Sequence, residues 1–352
     1  MQKKRVLVAA LNWGLGHATR CIPIIEKLQE QNFEPVLASD GAALALLRKE
    51  HPHLKSFELP SYNIEYASSG SLLKWKLLLN TPSILNAIKL EKLETEKLVK
   101  THNINGVISD NRFGVRSELV KSVFITHQLN VLSGNTTYLS SKLHQNYIRK
   151  FDECWIPDMP GAMNLSGILG HLKKQKPHIK YIGPLSRFEK KELRLKYQMM
   201  VLLSGPEPQR TILEKILLRE LGGFQGKLLF VRGVMEGEEI ASENPNLKIR
   251  NHMYGKELEE AVNSSELVLC RSGYSSIMDL SKLEKKAFFI PTPGQFEQEY
   301  LAERLKTLGI APFCRQEDFS LKKLEELKNY SGFGSLGFSV DFSRLLALFQ
   351  GE

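Results

Sequence analysis

The sequence predicts an α/β protein built from two doubly wound domains that face a cleft. Apolar strand-like runs alternate with amphipathic helical runs from end to end. The strand-like runs are continuously apolar rather than alternating, as expected for parallel strands covered by helices on both faces. The runs fall into two series separated by a charged connector, and 352 residues suffice for two domains that each bury a core.

In chain order, the first series starts with residues 5–10, where Val6-Leu7-Val8-Ala9-Ala10 follows a basic start. Asn12-Trp13-Gly14 ends this run too early for a signal peptide, so it reads as a first strand. Strands follow at 35–38, 54–58, 106–109, 123–126, 153–156 and 179–182, short segments centred on apolar residues. Tyr181-Ile182-Gly183-Pro184-Leu185 forms a seam, and 186–196 is the charged connector. The second series lies at 199–203, 227–231, 247–250, 267–269 and 287–290. Gly332-Phe333-Gly334-Ser335 reads as a flexible break before a last amphipathic segment, 340–349. The expected domains are 1–185 and 186–335, followed by a terminal helix within 336–352. No short-period repeat or low-complexity tract occurs.

Composition narrows the classes. The apolar fraction of 42% and charged fraction of 25% belong to a globular protein. No apolar run approaches the ~20 residues that span a bilayer. Four scattered cysteines without a Cys-x-x-Cys pair fit reduced thiols in the cytoplasm, not a disulfide framework or zinc site. The net charge of +9 fits an anionic partner, either membrane lipid or a pyrophosphate substrate, and equally a Lys-rich solvated surface. No nucleic-acid module is present, so nucleic acid is not an expected partner.

The most informative stretch is Cys270-Arg271-Ser272-Gly273-Tyr274-Ser275-Ser276-Ile277-Met278-Asp279. A strand ends in a glycine-containing turn and a helix begins near Tyr274, a cradle for phosphate. Asp279 lies one to two turns further on, placed to accept from a ribose diol. A second strand–loop–helix follows, with Pro291 at the strand end and Gln295, Glu297 and Gln298 at the helix start. Together they indicate a nucleotide-sugar site.

These residues resemble the donor-sugar signature of the GT-B glycosyltransferases, closest to family 28. The resemblance lies in the Cys270 to Gly273 turn, the acidic Asp279, Pro291, and the pair Glu297-Gln298, where the family has Gln-Gln. It implies a GT-B fold of two Rossmann-like domains with the C-terminal helix of 336–352 crossing back to pack on the first domain, the acidic residue on the ribose and the pair on the sugar. Glu297 in place of Gln leaves the sugar open. Further along, Gly183-Pro184-Leu185-Ser186-Arg187 resembles the segment whose Arg reaches the donor diphosphate. Gly205, in Ser204-Gly205-Pro206-Glu207-Pro208, falls at the family's glycine-rich turn, here stiffened by two prolines. Arg250-Asn251-His252-Met253 resembles the segment that holds the uracil ring. Arg232 and Ser275 complete the expected donor set.

On the acceptor side, Leu11-Asn12-Trp13-Gly14-Leu15-Gly16-His17 follows the first strand. As a dinucleotide fingerprint it lacks the third glycine, since Thr19 stands there. The family carries a Gly-rich loop ending in His at this place. The resemblance implies that His17 is the general base, with Asp110 fixing its tautomer. Read from the residues alone, His17 can equally cap or pack its helix, and Asp110 can be an N-cap. His127 ends the strand 123–126 as an acceptor contact or a structural residue. Arg112 can bind an anionic acceptor or be a solvated charge. Gly70 to Leu79 mixes Leu, Trp and Lys, which fits either a membrane interface or a buried helix with snorkelling lysines.

The expected activity is an inverting transfer of hexose from a nucleotide sugar, most consistently UDP-linked, to a hydroxyl acceptor of lipid-linked or cell-envelope type. No cofactor and no metal are expected, because no metal-ligand spacing occurs. The site of action is the cytoplasm or the inner face of the membrane. A hydrolysing UDP-sugar 2-epimerase and a non-catalytic sugar-nucleotide-binding protein are the alternatives.

Overall fold

The computed structural model describes residues 3–62, 81–174, 176–234, 237–238, 240, 242–334, 337 and 340–350. The expected Gly70 to Leu79 segment lies outside them. The described residues form two compact units, one from 3–187 with 340–350 and the other from 188–337.

The first unit contains a seven-stranded sheet. Its strands are β1 (Arg5–Ala10), β2 (Glu34–Ser39), β3 (Ser56–Glu58), β4 (Ile104–Asp110), β5 (Lys121–Ile125), β6 (Glu153–Ile156) and β7 (Ile179–Tyr181), in the order β3-β2-β1-β4-β5-β6-β7. Every pairing is parallel. The helices are α1 (Gly16–Glu30), α2 (Gly41–Glu50), α3 (Thr81–His102) and α4 (Thr137–Ile148). On one side of the sheet Leu7, Ala9, Val36, Leu98 and Val107 form a buried core. Phe124, Ile148, Phe151 and Ile156 form another.

The strand order reverses between β1 and β4, and ligands of such sheets bind at the carboxyl ends of the strands that flank the reversal. Those ends are in register here, with Ala10 opposite Asp110 and Leu11 N donating to Asp110 O at 3.0 Å.

The second unit repeats the plan with β8 (Tyr197–Leu202), β9 (Leu228–Val231), β10 (Leu247–Arg250), β11 (Ser265–Cys270) and β12 (Lys286–Phe289), in the order β10-β9-β8-β11-β12. Its helices are α5 (Gln209–Glu220), α6 (Gly255–Asn263), α7 (Tyr274–Lys282) and α8 (Phe296–Thr307). Met199, Val201, Leu213, Leu217, Phe230, Leu269 and Phe288 fill its core. The reversal falls between β8 and β11, with Leu202 opposite Cys270. The loops carrying Gly205 and Gly273 therefore leave adjacent strand ends.

The last helix, α9 (Phe342–Leu346), and the turn Ala347–Phe349 belong to the first unit. Phe349 is buried and meets Phe33 and Trp155 edge-on or tilted, at 6.5 and 6.4 Å between ring centroids. A Cβ on Gly106 would lie 2.2 Å from that ring, so a side chain at residue 106 would exclude it.

Three expectations need correction. The strand expected at 54–58 pairs only from Ser56, because the ladder with β2 starts at Leu37 opposite Ser56. Gly332-Phe333-Gly334 is not a loose break. Gly332 N donates to Ile310 O, Phe333 N donates to Lys285 O, and the Phe333 ring is buried against Phe289. The last segment is a short α-turn followed by a 3-10 turn, not one continuous helix.

Candidate active site

In the first unit, Gly14 takes a φ of +72°, which lets the chain turn sharply between β1 and α1. Gly16 is the first residue of α1, so His17 sits in its first turn. Leu15 holds the N-cap position and no side chain caps the helix, which removes the capping role for His17. His17 Nδ1 lies 2.7 Å from Asp110 Oδ1. Asp110 ends β4, fully buried, so it is not an N-cap.

The sequence reading missed the third member of this group. Arg20, one turn after His17 on the same face of α1, grips both oxygens of Asp110 through Nε and Nη2. Its Nη1 lies 3.2 Å from His127 Nδ1. Cys21 Sγ approaches Asp110 Oδ2 at 3.8 Å. Burial works to raise the Asp110 carboxyl, but Arg20 and His17 outweigh it and hold the group below the usual carboxylate range. Burial lowers the His17 imidazole and Arg20 lowers it further, against the opposing pull of Asp110. The result is an ionised Asp110 beside a neutral His17.

Arg112 is corrected. It is neither solvated nor available to an acceptor, being 0% exposed. Its Nε donates to Glu91 at 2.6 Å and its Nη1 to Asp40 at 2.5 Å, and Nη2 reaches Pro60 O. Tyr62 donates to the same Glu91 at 2.6 Å. The residue ties α3 and the loop after β3 to the ends of β1 and β2.

In the second unit, α7 opens at Gly273 with no side-chain cap, leaving the positive end of the helix for an anion. Ser272 is buried, and its Oγ donates to Gln298 O at 2.8 Å, which links this turn to the start of α8. Ser275 lies half-buried in the first turn. Asp279, also half-buried, is close enough to Cys270 for its charge to help burial push that thiol up to about 12. The carboxylate therefore stands by the end of β11.

Arg271 has the most bonds in this turn. It is buried, and its guanidinium donates to Ile290 O, Pro291 O, Gln209 O and Gln316 Oε1 at 2.6–3.1 Å. One side chain thus joins the end of β12, the start of α5 and the loop at Gln316. All four acceptors are neutral, and burial lowers its pKa to about 10.

Gln298 Oε1 accepts from Thr292 N at 2.9 Å, and its Nε2 donates to Gln295 Oε1 at 2.6 Å. Gln295 and Gln298 brace the loop after β12, while Glu297 is half-buried beside them. His252 donates from Nδ1 to Val234 O at 3.2 Å and stacks on Tyr254, with Met253 half-buried between them in sequence.

Three donor-side expectations change. Arg232 was expected to serve the donor, but it bonds to Glu214 and Asn251, so its charge is already balanced. Arg187 was expected at the diphosphate, but it pairs with Glu50 of the first unit at 3.1 Å. The helix start near Gly205 already receives a carboxylate. Thr211 N, in the first turn of α5, donates to Glu207 at 3.2 Å, which offsets the dipole there. Gly205 itself holds a φ of +108°. The α7 start, by contrast, has no side-chain cap hydrogen bond. Among the described residues, no three His, Cys, Asp or Glu side chains gather to hold a metal.

Residues 210–329 match the glycosyltransferase family 28 C-terminal domain. The chain is similar to the UDP-N-acetylglucosamine--N-acetylmuramyl-(pentapeptide) pyrophosphoryl-undecaprenol N-acetylglucosamine transferase of Pasteurella multocida (strain Pm70). The two are 24% identical over 335 residues, covering 92% of this chain and 87% of that protein. The Haemophilus influenzae (strain PittEE) protein of the same name is 24% identical over 354 residues, covering 94% and 91%. Among solved structures, the glycotransferase of kitacinnamycin superposes with a TM-score of 0.66 at 12% identity, covering 93% of this chain and 90% of that one. MurG of Acinetobacter baumannii gives 0.56 at 14%, covering 99% and 92%. The fold shared with them is GT-B.

Proposed function

This chain is a glycosyltransferase of GT-B fold with a family 28 C-terminal domain, and from that premise we propose that it moves a sugar with inversion from a UDP-linked donor to a hydroxyl of a lipid-linked acceptor. The observation that carries the reading is the α7 start at Gly273 with Asp279 behind it, inside the matched residues. The helix dipole stabilises the departing diphosphate without a metal, and Asp279 accepts from the ribose diol. His17 takes the acceptor proton on Nε2 as the oxygen attacks the anomeric carbon, with Asp110 holding the ring. Glu297, where the family has Gln, leaves the sugar open. The named relatives act on UDP-N-acetylglucosamine and an undecaprenol pyrophosphate acceptor, which supports both substrate classes.

The reading places the protein in the cytoplasm, in keeping with buried free cysteines, and at the membrane's anionic inner face. No helix of the described residues is long and apolar enough to cross a membrane. Leu85 and Leu93 of α3 are 50% and 59% exposed. Together with Lys89 and Lys92 they line a groove that also contains Phe113 and Lys150, an apolar surface with a basic rim suited to anionic lipid.

The deciding experiment incubates the protein with individual UDP-sugars, with and without bacterial lipid extract, and analyses the products. Acceptor-dependent UDP release with a glycosylated lipid is the expected result. A 2-epimerised sugar formed without acceptor would assign the chain to the epimerases.

A further inference from the structure

The two histidines beside Asp110 share one cation. Arg20 is 3% exposed and Asp110 0%. A guanidinium has only donors and keeps its charge. Its Nε and Nη2 are given to the Asp110 carboxylate, which is therefore ionised.

The proton positions follow from this arrangement. His17 Nδ1 and Asp110 Oδ1 are 2.7 Å apart, so a proton lies between them. With Asp110 ionised, that proton is on Nδ1, and His17 Nε2 carries the lone pair. Arg20 Nη2 is also 2.8 Å from this Nδ1, but Nδ1 cannot both donate to the carboxylate and accept from Nη2; the ionised Asp110 Oδ1 at 2.7 Å takes the Nδ1 proton, and Nη2 donates to Oδ1. His127 Nδ1 lies 3.2 Å from Arg20 Nη1, which can only donate, so this nitrogen bears a lone pair. A neutral His127 then carries its proton on Nε2. Gln128 Nε2 lies 3.4 Å from that nitrogen, so this tautomer requires the Gln128 amide turned to bring its oxygen to the ring, an assignment the hydrogen-bond network decides.

We propose that Arg20 is a positioning residue that sets the two rings in opposite tautomers, His17 as an Nε2 base and His127 as an Nε2–H donor. Asp110 orients His17, while most of its charge is spent on Arg20. The base is accordingly weak, and once protonated it sheds its proton readily because a guanidinium stands beside it. His127, with its lone pair turned to Arg20, is excluded as an alternative base and can only donate to an oxygen. An acceptor suited to this site offers one hydroxyl to deprotonate and a second oxygen that accepts. The charged and titratable groups around His17 are Arg20 and Cys21 on α1, Asp110 at the end of β4, and His127 after β5, with His144 of α4 next to His127.

The kinetic part rests on the reading of His17 as base, whereas the tautomers do not. Long-range proton–nitrogen NMR of the protein labelled with 15N-histidine reads them directly, with His17→Gln and His127→Gln assigning the signals. The expected wild-type result is a protonated Nδ1 on His17 and a protonated Nε2 on His127 near pH 8. In Arg20→Gln, His127 should become a mixture of tautomers. The acid limb of kcat/KM should move up in pH, because the Asp110 charge then acts on His17 unopposed. Arg20→Lys, which keeps the charge but loses the fork, should restore the acid limb more than the His127 tautomer. A wild-type His127 protonated on Nδ1 would overturn the proposal without any variant. An unchanged His127 spectrum in folded Arg20→Gln would overturn it as well. Because the spectra need no substrate, failure of every UDP-sugar as donor counts against the functional reading alone.

Discussion

Asp110 Oδ1 stands 2.7 Å from Nδ1 of His17, and this one contact joins the end of β4 to the first turn of α1 across the strand-order reversal of the sheet. The surroundings of this pair give the site its expected pH dependence. Burial and Arg20 lower the His17 pKa, so the ring stays neutral below its ordinary value of ~6.5. The acid limb of kcat/KM should therefore fall below pH 6.5, and a pH–rate profile checks this. The same shift bears on stability. An unfolded His17 binds its proton at higher pH than the folded one, so the folded state is favoured fully above ~6.5 and loses this contribution as pH falls. Asp110, lowered in the folded state, adds stability present above ~3.9 that is lost at still lower pH.

Removal of the ribose acceptor should weaken the donor complex. Asp279→Ala is expected to cost about 1–3 kcal/mol of UDP affinity, the loss of charge-assisted hydrogen bonds to the diol. Calorimetric titration of the folded variant measures it. Unchanged affinity would remove Asp279 from the site.

Arg112 holds its part of the fold together, and a truncation measures how strongly. Arg112→Ala leaves Glu91 and Asp40 without their cation, and Glu91 is completely buried. Breaking a buried pair from one side costs about 3–5 kcal/mol. Urea denaturation should show a loss of that size. A fully stable variant with weakened acceptor binding would return Arg112 to the acceptor side.

Much of this fold is legible in the sequence because parallel strands buried on both faces read as continuous apolar runs, as in Val6 to Ala10 and Met199 to Leu203. Strand ends are less legible, since the ladder decides them. β4 runs on to Asp110 because Ala10 and Ile125 continue to pair with it. The turn at Ser272-Gly273 and the helix bearing Asp279 are visible because their chemistry is local. Partnerships between distant residues are not. Arg20 and Asp110 are 90 residues apart, and Arg112 and Asp40 are 72 apart. Their meeting depends on which strands lie side by side. The i, i+3 spacing of His17 and Arg20 on α1 was the one signal available for Arg20.

Metal dependence is a further expected outcome. With the α7 dipole at the diphosphate, turnover in EDTA should match turnover in untreated buffer. Complete loss restored by magnesium or manganese would contradict this mechanism.

The most direct test of the central claim, that the first unit activates the acceptor while the second holds the donor, is turnover and UDP affinity measured together on folded His17→Ala. The account predicts a fall in turnover of about 10²–10⁴ with UDP affinity unchanged. Wild-type turnover would place the base elsewhere, and loss of UDP binding would make His17 a donor ligand; either result contradicts the account.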